Sequence, residues 1–361
     1  MLIQCTKKLC DELRIKPLAA SSGEPLFSWH ANLITINRRK TVVLVNDSNR
    51  YVIVLHGMKA KDFKNLNYLI IKGMRETLLA ECIKPEIVEQ YLNHAPEFVY
   101  AKTKDRLMVA RMNKACETVN LYADTLQSDT IKQIQLNIRA STYLVNDGNG
   151  GYMYPYESLY KDLETFANTS LFTCQAVELK ITLDLAKHSV WRRVIVPQHI
   201  TFHQLHEVLQ IVFGWQDYHL HDFLIFDGDN PLINLVDNEE AFEYQQEIPM
   251  LMETDMLLSD YLPKYSRIKY TYDFGDDWQH YIEVESLVDS YHQNYPVCIA
   301  GEGNAPPEDV GGEGGYDEYL EAIADPEHPE HAAMIKWSSM QWYRDFNLNQ
   351  VNNKLQDALR R

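Results

Sequence analysis

The chain has 361 residues, of which 45% are hydrophobic and 11% aromatic, with a formal net charge of −17. These values exclude a disordered chain, and the length suits two domains better than one core. No apolar run approaches the ~18 residues of a membrane span, and the charges in MLIQCTKKLCDEL interrupt any signal-peptide core, so no membrane partner is expected. Residues 1–168 hold 22 Lys+Arg against 18 Asp+Glu, whereas residues 169–361 hold 12 against 33. The acidic half would repel a phosphate backbone, so nucleic acid is expected at the first half only. Cys5, Cys10, Cys82, Cys116, Cys174 and Cys298 are scattered without a CxxC pair. They read as reduced thiols of a cytoplasmic protein.

In chain order, the first half opens with a strand at Leu2–Gln4 and a helix at Lys7–Leu13. Strands at Thr41–Val45 and Tyr51–Leu55 flank VNDSNRY, whose Asn46, Asp47 and Asn49 predict a hairpin turn. Leu66, Leu69, Ile70, Met74, Leu78 and Leu79 recur at helical spacing within Lys61–Ile83. Pro85 starts a second helix with Ile87, Val88, Tyr91 and Leu92 as its apolar stripe. A third helix is expected at Asp105–Tyr122. The turn-rich NDGNGGYMYPY, Asn146–Tyr156, marks a connection, and the boundary is placed between it and Asn168. Two domains follow from this, at 1–160 and 170–361.

The second half begins with AVELKITLDL, Ala176–Leu185, whose strict alternation predicts a strand with one buried face. A second strand, Val190–Val196, leads into a helix over Thr201–Gly214. Thr201 and Gln204 suggest a capping box, and Gly214 a C-terminal stop. Strands are predicted at His219–Phe226, Arg267–Phe274 and Trp278–Leu287. A glycine-rich acidic loop, Ala300–Tyr319, and short C-terminal helices complete the chain. The fold class is therefore α+β. The second domain is expected to be a β-grasp-like mixed sheet with a packed helix and a helical C-terminal extension.

WRRV (Trp191–Val194), LHEVLQ (Leu205–Gln210), GWQDYHLHDF (Gly214–Phe223), YDFGDDWQH (Tyr272–His280) and PPEDVGG with its following GY (Pro306–Tyr316) resemble the plasmid pRiA4b ORF-three-like family. The similarity covers about Gln175–Leu355. INRRKTVVLVNDSNRY, Ile36–Tyr51, resembles a smaller family of unknown function. The first resemblance implies a small α+β domain of bacteria, archaea and mobile elements, without an established activity. Resolvase-like labels among its relatives are read as genomic context. Relatives often carry cysteines in the glycine-rich loop. Here those places hold Ala305 and Val310, so a thiolate zinc site is not expected there.

Within YDFGDDWQH, Gly275-Asp276-Asp277 has the composition of a hairpin turn. Alternation puts Phe274 on the buried face and Asp273 on the opposite one. Trp278 and His280 then share the apolar face after the turn. His219 and His221 would share one strand face and offer two imidazoles to a transition metal, with His280 or His206 as third ligand and Asp222 or Asp273 as orienter. Glu302, Glu308, Asp309, Glu313 and Asp317 favour a cation rather than a phosphate in a loop that lacks P-loop signatures. Arg192 and Arg193 point to opposite faces, and a salt bridge to the acidic segments is the favoured role. Arg38, Arg39 and Lys40, with Lys59, Lys61 and Lys64, form the candidate nucleic-acid edge.

These readings lead first to a binding or interaction module with a protein partner. Its surface would be built from Asp273, Asp276, Asp277, Trp278, Glu302, Glu308, Asp309 and Tyr316, with Arg192 and Arg193 nearby. The alternatives are a metal-dependent hydrolase, a nuclease or phosphoesterase holding a divalent ion at His219, His221 and His280 with Asp273 or Asp277, and a nucleic-acid-associated protein acting through the first domain.

Overall fold

A computed structural model describes residues 1–19, 23–103, 105–148, 150–243, 248–341 and 343–360. The chain divides into two compact units, Met1–Thr173 and Cys174–Leu359. Among the described residues no helix is long and apolar enough to cross a membrane.

The first unit contains strands β1 (Leu2–Cys5), β2 (Ser28–Ile36), β3 (Arg39–Asn46), β4 (Val52–Met58) and β5 (Val99–Lys102), a small ribbon β6 (Val145–Asn146) and β7 (Tyr152–Met153), and helices α1 (Lys7–Leu13), α2 (Ala60–Phe63), α3 (Leu66–Ala80), α4 (Pro85–His94), α5 (Arg106–Leu121), α6 (Ile134–Ser141) and α7 (Pro155–Ala167). Its main sheet has the order β4-β3-β2-β1-β5. Both sheet faces are covered, which explains the unbroken apolar run VVLV. Val42 and Leu44 join the core with Ile70 and Met74, while Val43 and Val45 join Met112, Val119 and Leu136 on the other side. Asn46 makes the β3–β4 turn by accepting from the Ser48 and Asn49 backbone amides at 2.9 and 3.3 Å.

Several expected boundaries change in this unit. The helix predicted over Lys61–Ile83 is split into α2 and α3, and Cys82 has a left-handed φ of 62°. The turn-rich stretch 146–156, of which residue 149 lies outside the described residues, does not lead out of the unit. It carries β6 and β7 into α7, whose Leu159 and Leu163 complete the first core.

The second unit contains β8 (Cys174–Leu183), β9 (Val190–Pro197), α8 (Phe202–Phe213), β10 (His221–Asp227), β11 (Asn230–Val236), β12 (Met250–Met252), α9 (Leu258–Tyr261), β13 (Arg267–Tyr272), β14 (Trp278–Tyr291), β15 (Val297–Glu302), α10 (Gly312–Ala324), α11 (His331–Met340) and α12 (Leu348–Leu355). The sheet order is β12-β11-β10-β13-β14-β8-β9-β15. The pairing is antiparallel except between β11 and β12, so the sheet is mixed. Val177, Leu179, Ile181 and Leu183 point into one core with Phe202, Leu205, Val208 and Leu209 of α8. The alternation read from β8 therefore reports a sheet with a helix on that face.

The entry and exit of α8 follow its sequence. Thr201 Oγ1 accepts from Gln204 N at 3.2 Å, and the Gln204 side chain accepts from Thr201 N at 3.1 Å. Gly214, at φ 81°, ends the helix. This fixes where the helix stops and where the segment leading to β10 begins. The helical C-terminal extension is α10 to α12.

Candidate functional site

Asp273 is the pivot of the site. The strand predicted to reach Phe274 ends at Tyr272, and Asp273 turns left-handed with φ 56°. Its Oδ1 accepts from the Gly275 and Asp276 backbone amides at 2.9 and 3.3 Å. A short polar side chain that bonds its own turn is the non-glycine residue type that suits this backbone. The consequence is a correction to simple alternation. Asp273 is buried at 7% exposure, while Phe274 is thrown outward.

Three segments meet at this turn. His219 lies just before β10, where Leu220 O accepts from Asp273 N at 3.0 Å. The glycine-rich loop arrives from the other side, where Asp276 Oδ2 accepts from Gly311 N at 3.0 Å. His219 Nε2 lies 3.0 Å from Asp309 Oδ1, 3.6 Å from Asp273 Oδ2 and 3.9 Å from Glu308 Oε2. None of these approaches has hydrogen-bond geometry, so Nε2 lies within ion-pair distance of three carboxylates but has no hydrogen-bond partner among the described residues. One ligating atom each of His219, Asp273 and Asp309 lies within 4.8 Å of the others.

Glu308 forms the floor. It accepts from Gln216 N at 2.7 Å and from the Tyr272 hydroxyl at 3.1 Å. Burial pushes its carboxyl above the usual range. Trp215 stacks on Tyr272 with centroids 4.9 Å apart and donates to Pro306 O at 3.0 Å, which holds the loop against the sheet. Asp309 is exposed, and so are Tyr218, Leu220 and Phe274, the sequence neighbours of His219 and Asp273. The site is thus an anionic recess with an imidazole in its wall, on segments that also carry exposed apolar side chains.

The other histidines do not join His219. The strand begins at His221 rather than His219, so the two do not share a strand face. His221 instead stacks on His206, with centroids 3.5 Å apart and rings 3° from parallel. His206 Nδ1 lies 2.8 Å from the Tyr270 hydroxyl, and its Nε2 2.9 Å from Asp217 Oδ1. His221 Nε2 lies 3.0 Å from Glu253 Oε2, and His203 Nδ1 3.0 Å from Glu253 Oε1. Burial alone would raise the Glu253 carboxyl, but the bonds from His203 and His221 outweigh it and hold it at about 2. Burial lowers the pKa of His206.

His280 is fully buried among Phe213, Trp215 and Tyr270, with Nδ1 3.3 Å from Tyr270 O. Burial holds its pKa down at about 3. The expected three-histidine set of His219, His221 and His280 therefore does not form. The cause is packing, since the apolar face that receives Trp278 receives His280 as well. Asp277 caps locally, accepting from Gln279 Nε2 at 2.8 Å.

The remaining candidates take structural positions. Trp278 is buried, and its Nε1 has no hydrogen-bond partner among the described residues. Tyr316 is buried in α10 and donates to Asn304 O at 2.9 Å. Glu302 accepts from Trp191 Nε1 at 2.9 Å. Arg193 pairs with Glu285 and Glu178 as a surface salt bridge. Arg192, expected in such a bridge, is 1% exposed and donates to backbone carbonyls of Trp191, Val212, Glu302 and Gly303 at 2.8–2.9 Å. Its guanidinium stacks 3.8 Å from the Phe346 ring centroid. It organises the end of the sheet rather than meeting an acid.

In the first unit, Arg38, Arg39 and Lys40 line one groove with Lys59 and Lys61. Lys40 is paired with Glu12 at 2.6 Å, and Arg39 donates to Ser128 O at 3.1 Å. Asp62 and Asp129 line the same groove and dilute its positive charge.

Sequence reading missed Asp217, Glu253, His203 and the exposed trio Tyr218, Leu220 and Phe274. Asp217 sits inside GWQDYHLHDF, so density of polar residues was a usable signal. Glu253 comes 32 positions after His221, and only the fold joins them.

Fold and site together define an α+β domain with a polar recess at one end of a helix-covered sheet. The chain belongs to the plasmid pRiA4b ORF-3-like family, whose description, "Plasmid pRiA4b ORF-3-like protein", is matched by residues 175–354. Residues 2–158 match a "Domain of unknown function (DUF6933)". The chain is similar to the uncharacterized protein y4hQ of Sinorhizobium fredii, at 38% identity over 184 residues, covering 50% of this chain and 91% of that protein. A crystal structure of a protein of unknown function, MM3350 from Methanosarcina mazei Go1, is 34% identical, with a TM-score of 0.40, covering 45% of this chain and 89% of that one.

Proposed function

We propose that the chain is a binding protein whose C-terminal unit takes a basic segment of a protein partner at the recess of His219, Asp273, Glu308 and Asp309. The observation that supports this reading is the meeting of three separate segments on one anionic recess, with Tyr218, Leu220 and Phe274 exposed on the same segments. Carboxylates in a partly dry recess attract a cation more strongly than they would on an open surface. Exposed aromatic and aliphatic side chains beside them are of the kind that anchor protein interfaces. A lysine or arginine of the partner would pair with the exposed Asp309 carboxylate beside His219, with Asp273 behind it. The buried thiols Cys5, Cys10, Cys116 and Cys298 suit a cytoplasmic setting.

The test is fluorescence polarisation with the full chain and a pool of short labelled peptides carrying a central Lys or Arg, against the same pool with Glu there. Basic peptides should bind, and Asp273→Asn with Asp309→Asn should weaken them by roughly tenfold or more, the effect of losing a close charge pair. Asn at 273 keeps the turn, so folding is preserved. Equal binding of both pools, or no response to the substitutions, would overturn the reading.

One observation favours a second reading, a metal-dependent phosphoesterase or nuclease. His219, Asp273 and Asp309 offer ligating atoms within 4.8 Å of one another, and the exposed side leaves room for a metal-bound water. Hydrolysis of a phosphodiester probe by protein stripped of metal and reloaded, and its loss in Asp309→Asn, would establish this reading over the first.

A further inference from the structure

The stacked imidazoles of His206 and His221 are separate from the recess and are not used by either reading above. His206 projects from α8, and His221 opens β10. Asp217 comes from the intervening loop. Its backbone is left-handed at φ 58°, and its amide donates to Gln210 Oε1 at 2.8 Å, which fixes where the carboxylate lies. One nitrogen of each imidazole and one Asp217 oxygen lie within 4.8 Å of one another.

Two features set this group apart from a packed core pair. The first is that His221 is 4% exposed, yet its Nδ1 has no hydrogen-bond partner among the described residues. A buried lone pair without a donor costs free energy unless something uses it. The second is that each imidazole is held from behind through its other nitrogen. His221 Nε2 is held by the fully buried Glu253, and His206 Nδ1 by the buried Tyr270 hydroxyl. Buried carboxylates and hydroxyls in these positions are what orient metal-ligating histidines.

We propose that His206 Nε2, His221 Nδ1 and the Asp217 carboxylate form a site for a divalent first-row transition ion. Two imidazoles and one carboxylate suit Zn²⁺, Co²⁺, Ni²⁺ or Fe²⁺ and disfavour Mg²⁺ or Ca²⁺. The side chain of Asp217 is 61% exposed, so the ion has a route from solvent. An ion lies in the plane of each imidazole that binds it, and parallel planes share no point. Binding therefore turns each ring about the nitrogen held by Tyr270 or Glu253, and replaces the contact between His206 and Asp217.

Co²⁺ titration of the full-length protein, after stripping with a chelator, tests this. The expected result is one equivalent bound with visible d–d absorption, competed by Zn²⁺ and not by Mg²⁺. Asp217→Asn, at a half-exposed carboxylate, should abolish the absorption while the far-ultraviolet spectrum stays unchanged. Glu253→Gln should weaken binding by roughly tenfold, as loss of an orienting partner does. Asp309→Asn, in the separate recess, should leave the Co²⁺ signal intact. Absence of d–d absorption in the folded parent protein would overturn the proposal. So would a signal lost in Asp309→Asn but kept in Asp217→Asn.

Discussion

Asp276 Oδ2 accepts from the Gly311 backbone amide at 3.0 Å, which ties the tip of the β13–β14 hairpin to the loop that brings in Glu308 and Asp309. The contact is close on its other side too. A Cβ on Gly312, whose φ is 67°, would lie 3.1 Å from Asp276 O. Two turns that are distant in sequence are thus held back to back, and the recess exists because they are.

Replacing Asp276 by Ala is therefore expected to loosen the loop more than it destabilises the fold. The lost bond is partly solvent-exposed, so a cost of about 1 kcal/mol is expected. Hydrogen exchange should rise at residues 308–312 while the β8 and β14 amides stay protected. Uniform loss of protection across the unit would refute this division.

Arg192 gives a harsher prediction. Its substitution by Met leaves the buried carbonyl of Val212 and the part-buried carbonyls of Glu302 and Gly303 without their donor. Buried unsatisfied acceptors cost about 1–3 kcal/mol each before relaxation, so a total loss of about 3 kcal/mol or more is expected in urea unfolding. Lys cannot reproduce the planar fork and should rescue little. A Met variant within ~0.5 kcal/mol of the parent would show that water replaces the guanidinium freely.

His280 should make stability pH-dependent. Its folded pKa is lowered from near 6.5 to about 3 by burial. Between those values the unfolded chain binds a proton that the folded chain does not. Stability from this group is thus full above pH 6.5 and falls on acidification by about 1.4 kcal/mol per pH unit, down to about pH 3. Chemical denaturation across this range should show a shallower slope for His280→Leu. An unchanged slope would place the titration elsewhere.

The groove of Arg38, Arg39, Lys59 and Lys61 sets how the first unit can meet nucleic acid. Any such binding is expected to fall steeply as salt rises. It should vanish when Arg38, Arg39 and Lys40 are changed together to Gln. Lys40 contributes least, because Glu12 already neutralises it. Filter binding at two salt concentrations measures both effects, and salt-independent binding would place the contact elsewhere.

Much of this protein could be read directly from local pattern. Period-two alternation placed β8, and a helical stripe with Thr201, Gln204 and Gly214 placed α8 with its ends, because backbone geometry acts over a few residues. The polar density of GWQDYHLHDF, YDFGDDWQH and PPEDVGG marked the segments that build the recess. Local pattern failed where tertiary contacts reset the backbone. Asp273 left the strand because its own carboxylate caps the turn, and that single left-handed residue exchanged the faces assigned to Asp273 and Phe274. Alternation also paired His219 with His221, whereas the strand starts one residue past Leu220 and the two rings turn to different partners. Glu253 behind His221, and the carbonyls around Arg192, could come only from the folded chain. Apart from Trp191 O, their partners lie 20 or more residues away, and the choice among many buried polar pairings is made by packing the whole sheet at once.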